Sequence, residues 1–178
     1  MLTKQTILVI GTGAAAKAMA AHLVNANFHV LVSDKDYDSA LAMADNIKST
    51  TKNCDVEAMH CHFDSAWEAD IIILTVNLGD QKEVAKIIKD VITQKILISI
   101  NDEKLTSACS HFATLQQLLP NTKIVHLLTD GEDNIPAVFE SSSNGLMIFG
   151  NDDEAVEIVS AMLEAANINF TKVADLSA

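Results

Sequence analysis

The segment ILVIGTGAAAKAMAAHL, residues 7–23, joins three patterns without a gap. An apolar run of strand type, closing TILVI (6–10), leads into a glycine turn. An alanine-rich helical pattern, 14–26, opens directly behind it. Gly11, Gly13 and Ala16 stand at the spacing G-x-G-x-x-A. At that spacing Gly11 permits a tight turn, Gly13 leaves no side chain in the path of a pyrophosphate, and Ala16 lets the helix approach the strand. The unpaired amides of the first helical turn then face the anion, and the helix dipole favours it. The backbone of Thr12, Gly13, Ala14 and Ala15 is therefore the expected pyrophosphate cradle. A tight turn that binds nothing would carry the same pattern, so the residues after the helix must decide between the two.

A second apolar strand, FHVLVS (28–33), ends at Asp34. An acid about 20 residues beyond the glycines is the second element of a dinucleotide fingerprint: it accepts ribose hydroxyls and repels a 2′-phosphate. Ser33 can hydrogen-bond either form of the ribose, whereas Lys35 would attract the phosphate. All twelve basic residues are lysine and none is arginine. A bidentate guanidinium grip on phosphate is thus unavailable. This combination favours NAD, with NADP as the alternative.

The alternation continues along the chain. Helical YDSALAMADNIK (37–48) is followed by the strand candidate VEAMHCH (56–62) and a short helix, DSAWEA (64–69). DIIILTV (70–76) precedes helical DQKEVAKIIKDVI (80–92), and KILISI (95–100) precedes helical SHFATLQQLL (110–119). TKIVHLL (122–128), GLMIFG (145–150), the helix 152–166 and INFTKVA (168–174) complete the series. Residues 129–145 read as one long loop. Repeated strand–helix alternation predicts an α/β, Rossmann-like, doubly wound and mostly parallel sheet with helices on both faces. The strands IIIL, ILISI and KIVHLL are apolar on both faces, as central strands of such a sheet are. No linker divides the chain, so residues 1–178 are expected to form a single dinucleotide-binding domain.

Bulk properties narrow the partners. The formal net charge is −12, which disfavours nucleic acid and anionic membrane surfaces. No apolar run approaches the roughly 20 residues of a membrane span. Cys54, Cys61 and Cys109 do not suggest a disulfide framework, and the opening MLTKQTILVIG looks like a strand rather than a signal sequence; a cytoplasmic chain is expected. Cys54, His60, Cys61 and His62 fit no standard zinc spacing, so no metal site is expected. His60 and His62 are expected on one face of a strand, and Cys61 on the other. Cys109 with His111 lacks an elbow motif and reads as neither nucleophile nor base. His126 reads as a satisfied core residue and Trp67 as core. Lys82, Lys86 and Lys89 read as a solvated helix face, and Asp152, Asp153 and Glu154 as helix-start chemistry.

Taken together, IGTGAAAKAMAAHL, EADIIILTVNLGDQKEVAKII, KILISIND, LLPNTKIVHLL and the late MIFGNDDEAVEIVSAMLEAANINFTKVADLSA resemble the NADP oxidoreductase, coenzyme F420-dependent family. That family is related to the pyrroline-5-carboxylate reductase amino-terminal domain. The resemblance covers most of the chain, with segments in the family's order. It implies NADP as the nucleotide, against the preference read from Asp34, and it implies that Thr75, Val76, Asn77 and Leu78 pass beside the nicotinamide-side ribose and that Asn101 lies near the nicotinamide. This chain departs from the family where Asp34 replaces a base and Asn77 replaces a proline. It also lacks the family's Asn after KIVHLL, and Ala178 falls close to where the family begins its last helical segment.

The expected activity is an NAD(P)-dependent oxidoreductase that moves hydride between the nicotinamide and a small-molecule acceptor. The resemblance implies a deazaflavin; a flavin or a small imine or ketone is also open. No catalytic acid or base is identified. The alternative is a non-catalytic NAD(P)-binding module for redox sensing or regulation. A homodimer is expected, because one such domain does not enclose both rings.

Overall fold

The protein is described from a computed structural model. The structure describes residues 4–52, 54–101, 105–129, 135–140 and 145–173. In chain order the elements are β1 (Thr6–Ile10), α1 (Ala14–Asn25), β2 (His29–Ser33), α2 (Tyr37–Thr50), β3 (Val56–Met59), α3 (His62–Glu68), β4 (Ile71–Leu74) and α4 (Leu78–Ile88). They continue with β5 (Ile96–Asn101), α5 (Leu105–Leu118), β6 (Lys123–Thr129), α6 (Ile135–Glu140), β7 (Leu146–Gly150), α7 (Asp153–Ala165) and β8 (Thr171–Lys172).

These strands form one sheet in the order β3-β2-β1-β4-β5-β6-β7-β8. Pairing is parallel from β3 to β6; β7 runs antiparallel to β6, and β8 is parallel to β7. The α/β, Rossmann-like, doubly wound sheet expected from the sequence is thus the observed fold. Alternation along each strand sends side chains to two separate cores. Ile7 and Val9 join the core under α1, α2, α6 and α7, while Leu8 and Ile10 join the core under α3, α4 and α5. Helix α1 meets the sheet through Ala16, Met19, Ala20, Leu23 and Val24, a spacing of three and four that keeps one stripe inward.

The winding reverses at β1. The chain lays β2 and β3 on one side of it and then crosses to place β4 on the other. At such a reversal the connections leave in opposite directions, and a crevice opens at the carboxyl ends of the strands. Gly11, Asp34 and Thr75 follow β1, β2 and β4, so all three stand at that crevice.

Several boundaries differ from the sequence reading, each for a physical reason. The expected strand 56–62 stops at Met59, because β3 is an edge strand whose one partner, β2, ends at the pair Ser33–Met59. His62 instead opens α3, so His60 and His62 do not share a strand face. The expected loop 129–145 contains α6, which buries Ile135, Val138 and Phe139. Pro136 sits in the first turn of α6, where its missing amide donor costs nothing. Helix α5 begins at Leu105 rather than 110, and the last strand is paired only at Thr171–Lys172. Trp67 is not core: it is 69% exposed, because α3 turns Ser65 and Ala66 inward.

Candidate functional site

The glycine turn is built by two glycines under different constraints. Gly11 has φ +114°, and its amide donates to the Ser33 carbonyl at 2.9 Å. A Cβ there would stand 2.5 Å from the Thr75 Oγ1 and 3.0 Å from the Val76 Cγ1. Gly11 is therefore held by conformation and by close approach of β4. Gly13 has ordinary extended geometry, φ −69° and ψ −177°, and a Cβ added to it meets nothing within 4 Å. It faces open space. As residue before α1 it supplies no side-chain cap, and the first turn of α1 contains no acid. The leading amides of this helix keep their attraction for an anion. Ala14 is exposed and Ala15 half-buried beside them.

Asp34 is held from two sides. Thr12 Oγ1 donates to its Oδ2 at 3.0 Å, and the Asp36 amide donates to its Oδ1 at 3.0 Å. A carboxylate offers about four acceptor positions, so two remain for a ligand. Lys35 is exposed beside it. Ser33 is fully buried, and its Oγ lies 2.6 Å from the His62 Nδ1. Burial lowers the pKa of His62, and the Asp34 carboxylate opposes that shift. A cleft of ≈ 390 Å³ joins these groups; Asp34, Lys35, His62, Val76, Val84 and Ile87 line it. His60 and Cys61 also border it, with the His60 ring stacked on Tyr37 at 3.4 Å between centroids.

The β4 side is fixed by backbone bonds. The Thr75 amide and hydroxyl both donate to the Ile10 carbonyl, at 3.0 and 2.8 Å. Asn77 caps α4, its Oδ1 accepting from the Asp80 amide at 3.0 Å. Leu78 is the first residue of α4, half-buried. Asn101 ends β5, paired with Leu128; its side chain lies outside the described residues. Among the described residues no three His, Cys, Asp or Glu side chains converge as a metal cluster, and no helix is long and apolar enough to cross a membrane.

Two features escaped the sequence reading. Gln81 is fully buried: its Nε2 donates to the carbonyls of Val76 (2.9 Å) and Ile100 (3.2 Å). Its Oε1 accepts from the Ser99 hydroxyl at 2.7 Å and lies 3.0 Å from the His111 Nε2. One amide thus ties the ends of β4 and β5 to α5. Its signal was a glutamine inside the apolar stripe Val84, Ala85 and Ile88 of α4. His126 corrects an expectation, since neither ring nitrogen finds a partner among the described residues. It is core, packed against Phe149, Phe112 and His111, and within the described residues that packing is all that its ring meets. Desolvation, with His111 adding to it, pushes its pKa down to about 3.

A parallel sheet reversed at β1, with a glycine turn after β1 and an oriented acid after β2, defines an α/β domain of the Rossmann-like class. The chain belongs to the NADP oxidoreductase, coenzyme F420-dependent family, whose model matches residues 6–103, just over half of it. No curated protein sequence matches significantly. Among solved structures, it is similar to a pyrroline carboxylate reductase from Plasmodium falciparum with NADP bound, at 18% identity and a TM-score of 0.69 over 97% of this chain and 58% of that one. A structure from Arthrobacter assigned as an F420-dependent NADP reductase gives 18% identity and a TM-score of 0.70 over 93% of this chain and 82% of that one. An imine reductase from Myxococcus stipitatus in complex with NAD+ gives 13% and 0.74, over 96% and 54%. The chain therefore spans little more than half the length of two of these three. At such identities the likeness is one of fold.

Proposed function

We propose that the chain binds NAD(H) or NADP(H) across the β1–β4 crevice and serves hydride transfer to a small acceptor, of which a deazaflavin is the first to test. The observation that carries this reading is the uncapped, acid-free start of α1 behind an open Gly13. The amides of Thr12 to Ala15 hold the pyrophosphate without a cationic clamp. Asp34, oriented by Thr12, takes the adenosine ribose hydroxyls, which favours NAD. Val76, Asn77, Leu78 and Asn101 border the nicotinamide half. When bound, the nicotinamide supplies a hydride donor or acceptor at its C4. The chain's residues orient the ring and exclude water. Thr75 and Gln81 are committed to backbone carbonyls and carry no proton to the reaction. A second copy of the chain would cover the nicotinamide side, in a cytoplasmic setting.

A thermal-shift screen against NAD+, NADH, NADP+ and NADPH tests binding, because a ligand that binds only the folded state raises its melting temperature. Asp34→Ala is expected to weaken NADH more than NADPH; the reverse order in calorimetry removes the NAD preference. Turnover across a panel of deazaflavin, flavin, imine and ketone acceptors separates enzyme from regulatory module. Tight nucleotide binding with no turnover of any acceptor favours the module.

A further inference from the structure

His62 shares the cleft with Asp34 and is aimed by a buried partner. Its Nδ1 lies 2.6 Å from the hydroxyl of Ser33, a side chain with no solvent exposure. The direction of this bond follows the tautomer: the hydroxyl donates to Nδ1 when the ring hydrogen is on Nε2, and accepts from Nδ1–H when it is not. In either case the buried Ser33 hydroxyl is engaged on the imidazole and orients it. The ring lines the same cleft as Asp34 and Lys35.

We infer that His62, oriented by Ser33, discriminates a ribose 2′-hydroxyl from a 2′-phosphate, and admits the phosphate when its ring is protonated. The inference rests on the proposed nucleotide site and deepens it. Charge decides the matter. A 2′-phosphate set beside Asp34 meets a carboxylate, and the chain has no arginine to offset it. Around the ring, α4 presents Asp80 and Glu83 to the cleft. On β3, Glu57 pairs with Leu31 and so lies on the face toward α3. β1 contributes only the apolar Ile10. Besides His62, His60 is stacked on Tyr37, Cys61 is a thiol, and Lys35 is an exposed flexible ammonium. Imidazolium formation at His62 adds positive charge on a ring oriented by a buried hydroxyl, a support that the stacked His60 and the flexible Lys35 lack. A phosphate dianion nearby favours that charged form, so a nucleotide with a 2′-phosphate draws a proton onto the ring. A free ribose does not.

The test is calorimetric titration of NADH and NADPH into the wild type and H62Q. Two buffers of different ionisation enthalpy are used at each pH from 8 to 6. The wild type is expected to take up close to one more proton per NADPH than per NADH. Its NADPH:NADH affinity ratio is expected to rise by up to about tenfold per pH unit as pH falls. H62Q is expected to lose both effects. The second ionisation of the 2′-phosphate, near pH ~6, is followed separately by phosphorus NMR of the bound nucleotide and subtracted in each protein. A measurement without a variant is the His62 pKa by NMR in wild-type protein, expected to rise with NADPH bound and not with NADH. If both nucleotides bind, with equal uptake in the wild type and H62Q or an unmoved His62 pKa, the inference fails and the nucleotide site stands. If neither nucleotide binds the wild type, the nucleotide reading fails and takes the inference with it.

Discussion

Gly11 and Gly13 stand two residues apart and answer to different forces, which makes them separable by mutation. Gly11→Ala combines a φ that costs an L-residue about 1–2 kcal/mol with a contact that β4 relieves only by moving. The expected loss is about 2–4 kcal/mol, read as a lower urea midpoint. Gly13→Val has room in the fold and is expected to keep its melting temperature within a few degrees while nucleotide binding is lost. Comparable destabilisation by both would refute the division of roles. His126 is the other residue where a single group sets a measurable property. Its folded pKa of about 3 lies below its unfolded value of about 6.5. Between these values the unfolded chain holds the extra proton, so stability is complete above pH 6.5 and falls as pH drops toward 3. From pH 6.5 to 5 this group alone is expected to remove about 1.5–2 kcal/mol. His126→Phe, which keeps a ring against Phe149, should flatten that acid limb in urea titrations. The glycines and Asp34 were legible in the sequence because their chemistry is set by neighbours along the chain. His126 and Gln81 were not, because being satisfied or stranded depends on α5 and β7, which arrive from elsewhere in the sequence.

At the scale of elements, chain reversals and helix ends carry much of the definition of the site. α1 and α7 end alike: Asn27 and Asn167 adopt φ 68° and 57°. The next amides, of Phe28 and Ile168, reach back to the carbonyls of Leu23 and Leu163 at 3.1 and 2.9 Å. This is the Schellman closure, with asparagine where glycine is commonest. Asn27→Val is expected to cost about 1–2 kcal/mol through the left-handed backbone it must keep, measured by denaturant melts. Short α3 is closed differently. The Lys95 ammonium donates to the carbonyls of Ala66 (2.9 Å), Trp67 (2.5 Å) and Ala69 (2.8 Å). All three of its hydrogens are thus used on the last turn, where the dipole also favours a cation. Lys95→Met should lower stability by about 1–3 kcal/mol and loosen the helix that begins with His62. Hydrogen exchange should then rise first in α3; uniform exchange across the sheet would contradict that. Helix periodicity made α1, α2, α4 and α7 readable. The end of β3 was not, because it is decided by where its partner β2 runs out, and α6 was hidden inside a polar stretch too short to show a period.

For the molecule as a whole, the reversal of winding at β1 separates two duties. Two cores on opposite faces hold the sheet, and the crevice at the ends of β1 and β4 combines open amides and polar side chains with the apolar Ile10, Val76, Val84 and Ile87. The same separation leaves α3 and α4 with apolar side chains facing outward, Phe63 at 39%, Ile87 at 50% and Trp67 at 69% exposure. Trp67 is the chain's single tryptophan. Its indole is already largely exposed in the native state, so its emission is expected to change little when the sheet unfolds, and fluorescence melts will carry little amplitude. The same indole sits on the helix that opens with His62. Its emission overlaps the absorption of a reduced nicotinamide, making it an energy-transfer donor whose quenching reports occupancy of the crevice in a protein that needs no label.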